Sequence, residues 1–143
     1  MTATGQGHTS FSDNDYRDRA EFRRRLRTFL FLSEQEARQA GITPQQYMLL
    51  LIVRGHEKYP AVTISAVAED LKLQHSTASL LVDRAVKKGL LHRVEDATDR
   101  RRALVSLTEH GQRVLDSVMA STQRYLHSLE ARISHLQGEP GWE

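Results

Sequence analysis

A cluster of arginines interrupts the alternating segment LHRVEDATDRRRALVSL, which spans residues 91–107. In this cluster Asp99 is followed directly by Arg100, Arg101 and Arg102. Three adjacent guanidinium groups repel one another, so they favour a position where an anion lies nearby. An arginine at a hairpin tip can enter the minor groove of DNA, where the potential is most negative over A·T-rich steps. We therefore predict that the arginines bind a polyanion and that Asp99 orients one of them; the alternative is a solubilising turn.

A second group of residues carries side chains that suit the base edges of a DNA major groove. Hydroxyls and amides donate or accept hydrogen bonds there, and an apolar group can meet a thymine methyl. The N-terminal end of a helix also suits phosphate oxygens. Serine and threonine are common at helix starts, so the position of this helix within a motif matters more than its composition. The candidate residues are Gln74, His75, Ser76, Thr77, Ser79, Leu80 and Arg84.

One acidic residue, Asp83, faces outward on the same helix. DNA phosphates would repel an unpaired carboxylate at this position. We therefore predict that a cation pairs with Asp83, and Arg101 is the favoured partner. In this interpretation both Asp83 and Asp99 orient the arginine-bearing hairpin.

Two helices and a hairpin are predicted to position these groups. Thr63 can cap a short helix over 64–71, residues 72–74 form a turn, and a second helix runs from about His75 to Lys88, ended by Gly89. Strands over 91–95 and 103–107 flank the arginine tip. A helix-turn-helix followed by a basic hairpin is a winged helix. The inward face of the second helix is expected to consist of Ala78, Leu81, Val82 and Ala85.

Long helices flank this motif on both sides. One is predicted from about Asp13 to Ala40, and the other begins after Thr108 and continues for about six turns. Each has an apolar stripe with spacings of three and four, so each needs a long partner. We infer a dimer interface; the alternative is an intramolecular hairpin in a monomer. The predicted interface residues are Phe22, Leu26, Phe29, Leu115, Val118, Tyr125, Leu129 and Ile133.

The expected organisation is therefore mainly α with a small β-wing. Residues 1–12 form a disordered tail, residues 13–42 and 108–137 form a helical dimerisation region, and residues 43–107 form the winged helix. A capping box at Thr43 and Gln46, with Pro44 at the first helical position, opens an apolar helix that is central in the core.

Composition narrows the class of protein. The formal net charge of the 143 residues is only +2, but residues 72–102 hold eight Lys or Arg against four acids. This local excess suits a polyanion, although a solvated basic face is the alternative. The chain has no cysteine, which excludes disulfides, zinc–thiolate sites and oxidation sensing through cysteine. No signal peptide or membrane span is indicated, so we expect a soluble cytoplasmic protein that does not bind a membrane.

An enzyme active site is not indicated. Seven histidines are scattered along the chain, and His127 and His135 are two helical turns apart. His56 and His75 have no evident acidic or histidine partner nearby in sequence. We therefore predict no catalytic residue, no metal and no cofactor.

The chain resembles the MarR family of winged-helix transcriptional regulators over about residues 15–137. Several motifs occur in the family's order, including an Asp-x-Arg wing followed by Leu-Thr-x-x-Gly. The motifs are GITPQQY at 41–47, LVDR at 81–84, KGLL at 88–91, DRR at 99–101 and LTEHG at 107–111. Many members have a larger or more basic residue where Leu80 stands, so a base preference does not transfer.

The resemblance implies an obligate homodimer in which the terminal helices interlock. Its two winged helices would bind double-stranded DNA at an imperfect palindrome, most often as a repressor of transcription. Some members bind phenolic or other aromatic anions, which implies a small-molecule effector here. Tyr47, His56 and the arginines of the first helix are the candidate effector residues. The alternative functions are a winged-helix protein–protein adaptor and a small-molecule enzyme.

Overall fold

The computed structural model describes residues 9–99 and 102–136, without the side chains of His135 and Leu136. Arg100, Arg101, most of the predicted tail and the chain beyond residue 136 lie outside this description. The prediction of a mainly helical fold with a small β-wing is confirmed. The elements are α1 (Asp13–Gln39), α2 (Pro44–Gly55), β1 (Val62–Thr63), α3 (Ile64–Leu71), α4 (His75–Lys87), β2 (Leu91–Val94), β3 (Leu104–Leu107) and α5 (Glu109–Leu136).

The chain forms two compact units. The described part of the larger unit covers residues 32–99 and 102–123, and that of the smaller unit covers residues 9–31 and 124–136. Each of the long helices α1 and α5 contributes to both units. The winged-helix elements all belong to the larger unit.

The core of the larger unit is centred on α2, α3 and α4. Helix α2 starts at the predicted capping box, where Thr43 Oγ1 accepts from the Gln46 backbone N–H and Gln46 Oε1 accepts from the Thr43 N–H, both at 3.0 Å. Its Leu49, Leu50 and Val53 are at most 1% exposed. Burial of each such side chain contributes roughly 1.5–3 kcal/mol of hydrophobic free energy, which makes α2 the central helix of this core.

Helix α4 packs against α3 through small side chains, which allow the two helices to approach closely. The predicted inward face is confirmed, and the opposite face is left to solvent. Thr63 caps α3 as predicted, because its side chain accepts from the Ala66 backbone N–H at 3.1 Å. The buried residues of α4 are Ala78, Leu81, Val82 and Ala85.

The wing belongs to a three-stranded antiparallel sheet of order β1-β3-β2. The hairpin pairs Leu91 with Leu107 and Val94 with Leu104, each strand being one residue shorter than predicted. Ala103 instead accepts a hydrogen bond through its backbone oxygen from the Ile64 N–H, at 3.2 Å. Strand β1 was not predicted, because a strand of two residues has no detectable alternation.

A tight joint connects the wing to α5. Thr108 caps α5 as predicted, with its Oγ1 accepting from the Gly111 N–H at 2.9 Å. The same hydroxyl donates to the Gly89 carbonyl, and the Thr108 N–H donates to the Leu90 carbonyl at 3.1 Å. Hydrogen bonds on both sides therefore hold the start of α5 against the end of the α4–β2 connection.

The smaller unit is held by charged side chains as well as apolar ones. Arg132 donates to Asp18 at 2.9 Å and to Glu21 at 2.8 Å, and Arg25 donates to Glu21 at 3.0 Å. Arg132 of α5 thus joins the acidic side chains on the first half of α1 to the Arg25–Glu21 pair. Within residues 9–99 and 102–136 no helix has the length and apolarity to cross a membrane.

Candidate nucleic-acid interface

The first turn of α4 is exposed and carries short polar side chains. Gln74 is the N-cap residue, but its side chain makes no capping hydrogen bond, so its amide is not committed to the helix end. Leu80 is 58% exposed one turn further on and adds an apolar side chain to this face. Free helix N–H groups at the same end favour negative charge. The exposed predicted residues of this face are Gln74, His75, Ser76, Thr77, Leu80 and Arg84.

Two residues predicted on this face, Ser79 and Asp83, form hydrogen bonds with the wing. Arg93, on β2, donates through one guanidinium nitrogen to Asp83 Oδ1 at 2.6 Å and to Ser79 Oγ at 3.2 Å. Asp83 is thus paired with a cation as predicted, but the partner in the structure is Arg93 rather than the favoured Arg101, which lies outside the described residues. Ser79 is half-buried and its hydroxyl already accepts a hydrogen bond, so it differs from Ser76 and Thr77, which are exposed.

The described part of the wing tip is shaped by its own side chains. Asp96 Oδ1 accepts from the Thr98 N–H at 3.1 Å and from its hydroxyl at 3.0 Å. These hydrogen bonds lower the pKa of the Asp96 carboxyl, so it stays ionised. Arg102 donates its backbone N–H to the Asp99 carbonyl at 3.0 Å and leaves its own side chain exposed. The Asp96–Thr98 turn was not predicted from the sequence, although the Asp-x-Thr spacing is a usable signal.

Two of the candidate effector residues, Tyr47 and His56, lie in the larger unit and make local contacts. Tyr47 is half-buried against the core, and burial raises the pKa of its phenol, which therefore stays neutral. His56 Nδ1 accepts from the Lys58 N–H at 3.1 Å, and its Nε2 lies 3.9 Å from the carboxylate of Asp70, a residue that is distant from His56 in sequence. A groove of 360 Å³ occurs elsewhere, in the smaller unit, and neither residue lines it.

The predicted interface residues divide into two groups. Leu115 and Val118 are each only 1% exposed within the single chain, and Leu129 is 7% exposed. These three are already covered by their own chain, so they offer little surface to a partner. The remaining five, which are partly accessible, are Phe22, Leu26, Phe29, Tyr125 and Ile133.

The chain has the architecture of a winged helix-turn-helix protein. A sequence model described as the MarR family matches residues 40–102. The HTH-type transcriptional regulator YsmB of Bacillus subtilis is 30% identical over 114 residues, which cover 77% of this chain and 76% of YsmB. The transcriptional repressor MdtR of the same organism is 31% identical over 93 residues, 62% of this chain and 58% of MdtR.

A solved structure shows the same fold bound to DNA. The complex of Staphylococcus aureus MepR with DNA is similar with a TM-score of 0.60 and 24% identity, covering 82% of this chain and 86% of MepR. The match to the MarR-family sequence model and the 30% identity to YsmB, of which 76% is covered, show that the chain belongs to the MarR family. It is a transcriptional regulator and not an enzyme.

Proposed function

We propose that this chain is a homodimeric repressor that binds an imperfect DNA palindrome and is released by a small aromatic anion. The observation that carries the proposal is the exposed first turn of α4, whose uncommitted polar side chains lie beside Leu80 on a helix packed firmly in the core. A rigid helix with a free polar face is the form in which a winged helix reads a major groove.

In the proposed complex, α4 enters the major groove of each half-site. Ser76 and Thr77 contact base edges or phosphates, and Leu80 meets a thymine methyl. Arg101 enters the adjacent minor groove while Arg100 and Arg102 neutralise phosphates. The exposed cations Arg84 and Lys87 on the last turns of α4 support this orientation, because they extend the positive surface along the helix.

We propose that a second copy of the chain covers the exposed apolar side chains on the long helices. On α1, Leu30 is 46% exposed and Phe31 is 56% exposed, although both are large hydrophobic residues. Contiguous exposed apolar surface marks interfaces in soluble proteins. Together with the five partly accessible residues predicted from the sequence, which belong to the same unit, these two side chains supply the proposed contact.

The groove of the smaller unit supports the effector proposal. Phe29, Leu129 and Tyr125 give it apolar and aromatic walls, and Arg24 adds positive charge. Glu21 also lines it, but its carboxylate is neutralised by Arg25 and Arg132. Arg24 is exposed and forms no ion pair within the described residues, so it is available to an incoming carboxylate. We propose this groove, rather than Tyr47 and His56, as the effector site.

Replacement of Arg24 by Ala tests the groove. Millimolar benzoate should release the wild-type protein from its DNA, and Arg24→Ala should need about ten times more, since a charge-assisted hydrogen bond contributes about 1.5 kcal/mol or more. Fluorescence anisotropy of a labelled duplex measures the release. Arg23→Ala is the matched control, because Arg23 is an exposed neighbour that does not line the groove. Equal benzoate responses in both variants would contradict the assignment.

Selection from a random pool of duplexes tests the proposed DNA function. The full chain should enrich a palindromic motif whose half-sites are about one helical turn apart. The mass of the protein in solution should be that of two chains. Enrichment of no motif, or a monomeric mass at micromolar concentration, would count against the proposal.

A further inference from the structure

The guanidinium of Arg93 connects two consecutive elements, α4 and β2. Arg93 lies on β2, the first strand of the wing, and its two hydrogen-bond acceptors lie one turn apart on α4. Its side chain is 23% exposed, against 47% for Asp83. A single nitrogen of Arg93 serves both contacts, so one group fixes the wing strand and α4 together.

This contact changes the chemistry of the outward face of α4. An unpaired Asp83 carboxylate would add a negative charge to the surface that we propose meets phosphates. Arg93 neutralises that charge and also occupies the Ser79 hydroxyl oxygen. The side chains that remain available for DNA contact on this face are therefore those of the first turn, together with Leu80 and Arg84.

The contact is not optimised for stability alone. The Nε atom of Arg93 is buried and has no hydrogen-bond partner among the described residues. A buried N–H without a partner is unfavourable, which offsets part of the free energy of the ion pair. We therefore expect the contact to matter more for the orientation of α4 against the wing than for the free energy of unfolding.

We propose that Arg93 is a positioning residue for DNA reading. It sets the rotation of α4 relative to the wing, removes Ser79 and Asp83 from base contact, and confines sequence reading to residues 74–77, Leu80 and Arg84. The proposal rests on the proposed DNA function, and it assigns no DNA contact to Arg93 itself.

The test compares the affinity for the selected duplex with the affinity for a shuffled duplex of the same composition. In Arg93→Ala the selected duplex should bind at least about ten times more weakly, while the shuffled duplex should lose less, so the ratio of affinities falls. Arg93→Lys keeps the charge and should recover part of the ratio. Adding Asp83→Asn to Arg93→Ala removes the unpaired carboxylate and should restore binding to both duplexes without restoring the ratio.

A merely structural role gives a different pattern. It would lower the melting temperature of Arg93→Ala but leave the ratio unchanged at temperatures where the protein is folded, and this result would overturn the proposal. Arg54→Ala is the matched control, because it removes an exposed arginine of α2 that donates to Gln112 at 2.9 Å and belongs to neither the proposed DNA surface nor the proposed effector groove. It should leave the ratio unchanged.

Failure of the proposed DNA function gives a result that differs from failure of the Arg93 proposal. If the wild-type chain binds both duplexes equally, the DNA proposal fails whatever Arg93 does. The orientation of α4 is then judged without DNA, from denaturant unfolding of Arg93→Ala, Asp83→Asn and the double variant. The effect of the double substitution on the unfolding equilibrium constant is compared with the product of the two single effects. A difference of about threefold or more would support the coupling of wing and helix, and agreement between the two would overturn it.

Discussion

Replacement of Gly111 by Ala will lower the free energy of unfolding by about 3 kcal/mol, the upper part of the range for overpacking in a well-packed core. A Cβ built on Gly111 overlaps the carbonyl oxygen of Leu90 and lies 2.9 Å from its carbonyl carbon and 3.2 Å from its Cα. The obstacle is backbone, so a change of rotamer does not relieve it. Leu90 is itself held by the Thr108 N–H on one side and by the Ala85 carbonyl on the other.

Denaturant unfolding followed by circular dichroism measures this effect. Gly55→Ala is the matched control, because Gly55 also lies in a helix and a Cβ there meets nothing within 4 Å. The control should change stability by less than about 1 kcal/mol. If Gly111→Ala unfolds at the wild-type denaturant concentration, the joint between the wing and α5 is looser than the hydrogen bonds imply.

Replacement of Ser76 by Glu will weaken DNA binding by about 100-fold while leaving the fold intact. Ser76 is exposed in the first turn of α4, where a carboxylate is compatible with the helix N-terminus. A negative charge on a surface that meets phosphates costs several kcal/mol at the interface, and each 1.4 kcal/mol is about tenfold in affinity. The melting temperature should therefore stay unchanged or rise slightly as affinity falls.

The control for this charge change is Ser117→Glu. Ser117 is exposed on α5, away from the proposed reading face, and carries the same change in net charge. It should weaken binding less than about threefold, the effect of net charge alone. Comparable losses in the two variants would show that DNA affinity depends on total charge and not on the face of α4.

Local patterns in the sequence were sufficient to predict most of the helices. The caps at Thr43, Thr63 and Thr108 act within three residues of themselves, so each is readable from a short window. The inward face of α4 follows from the helical repeat, which links residues three and four positions apart. For these features the tertiary structure agrees with local preference.

Features that depend on distant residues were not predictable in the same way. The partner of Asp83 is decided by the register of β2 against α4, which no local spacing encodes. The burial of Leu115 and Val118 within their own chain depends on which neighbours cover an apolar stripe, and the stripe itself is identical for a dimer and for a folded core. The requirement for glycine at position 111 similarly comes from Leu90, a residue of another element.

Photo-crosslinking from α4 tests the central claim most directly, that this helix face meets the bases of a duplex. Leu80 is 58% exposed at the middle of the face. The variant that carries a benzophenone amino acid in place of Leu80 is bound to the selected duplex and irradiated. The proposed function predicts crosslinks to bases within each half-site, and none from the same amino acid in place of Ser117. Crosslinks from position 117, with none from position 80, would contradict it.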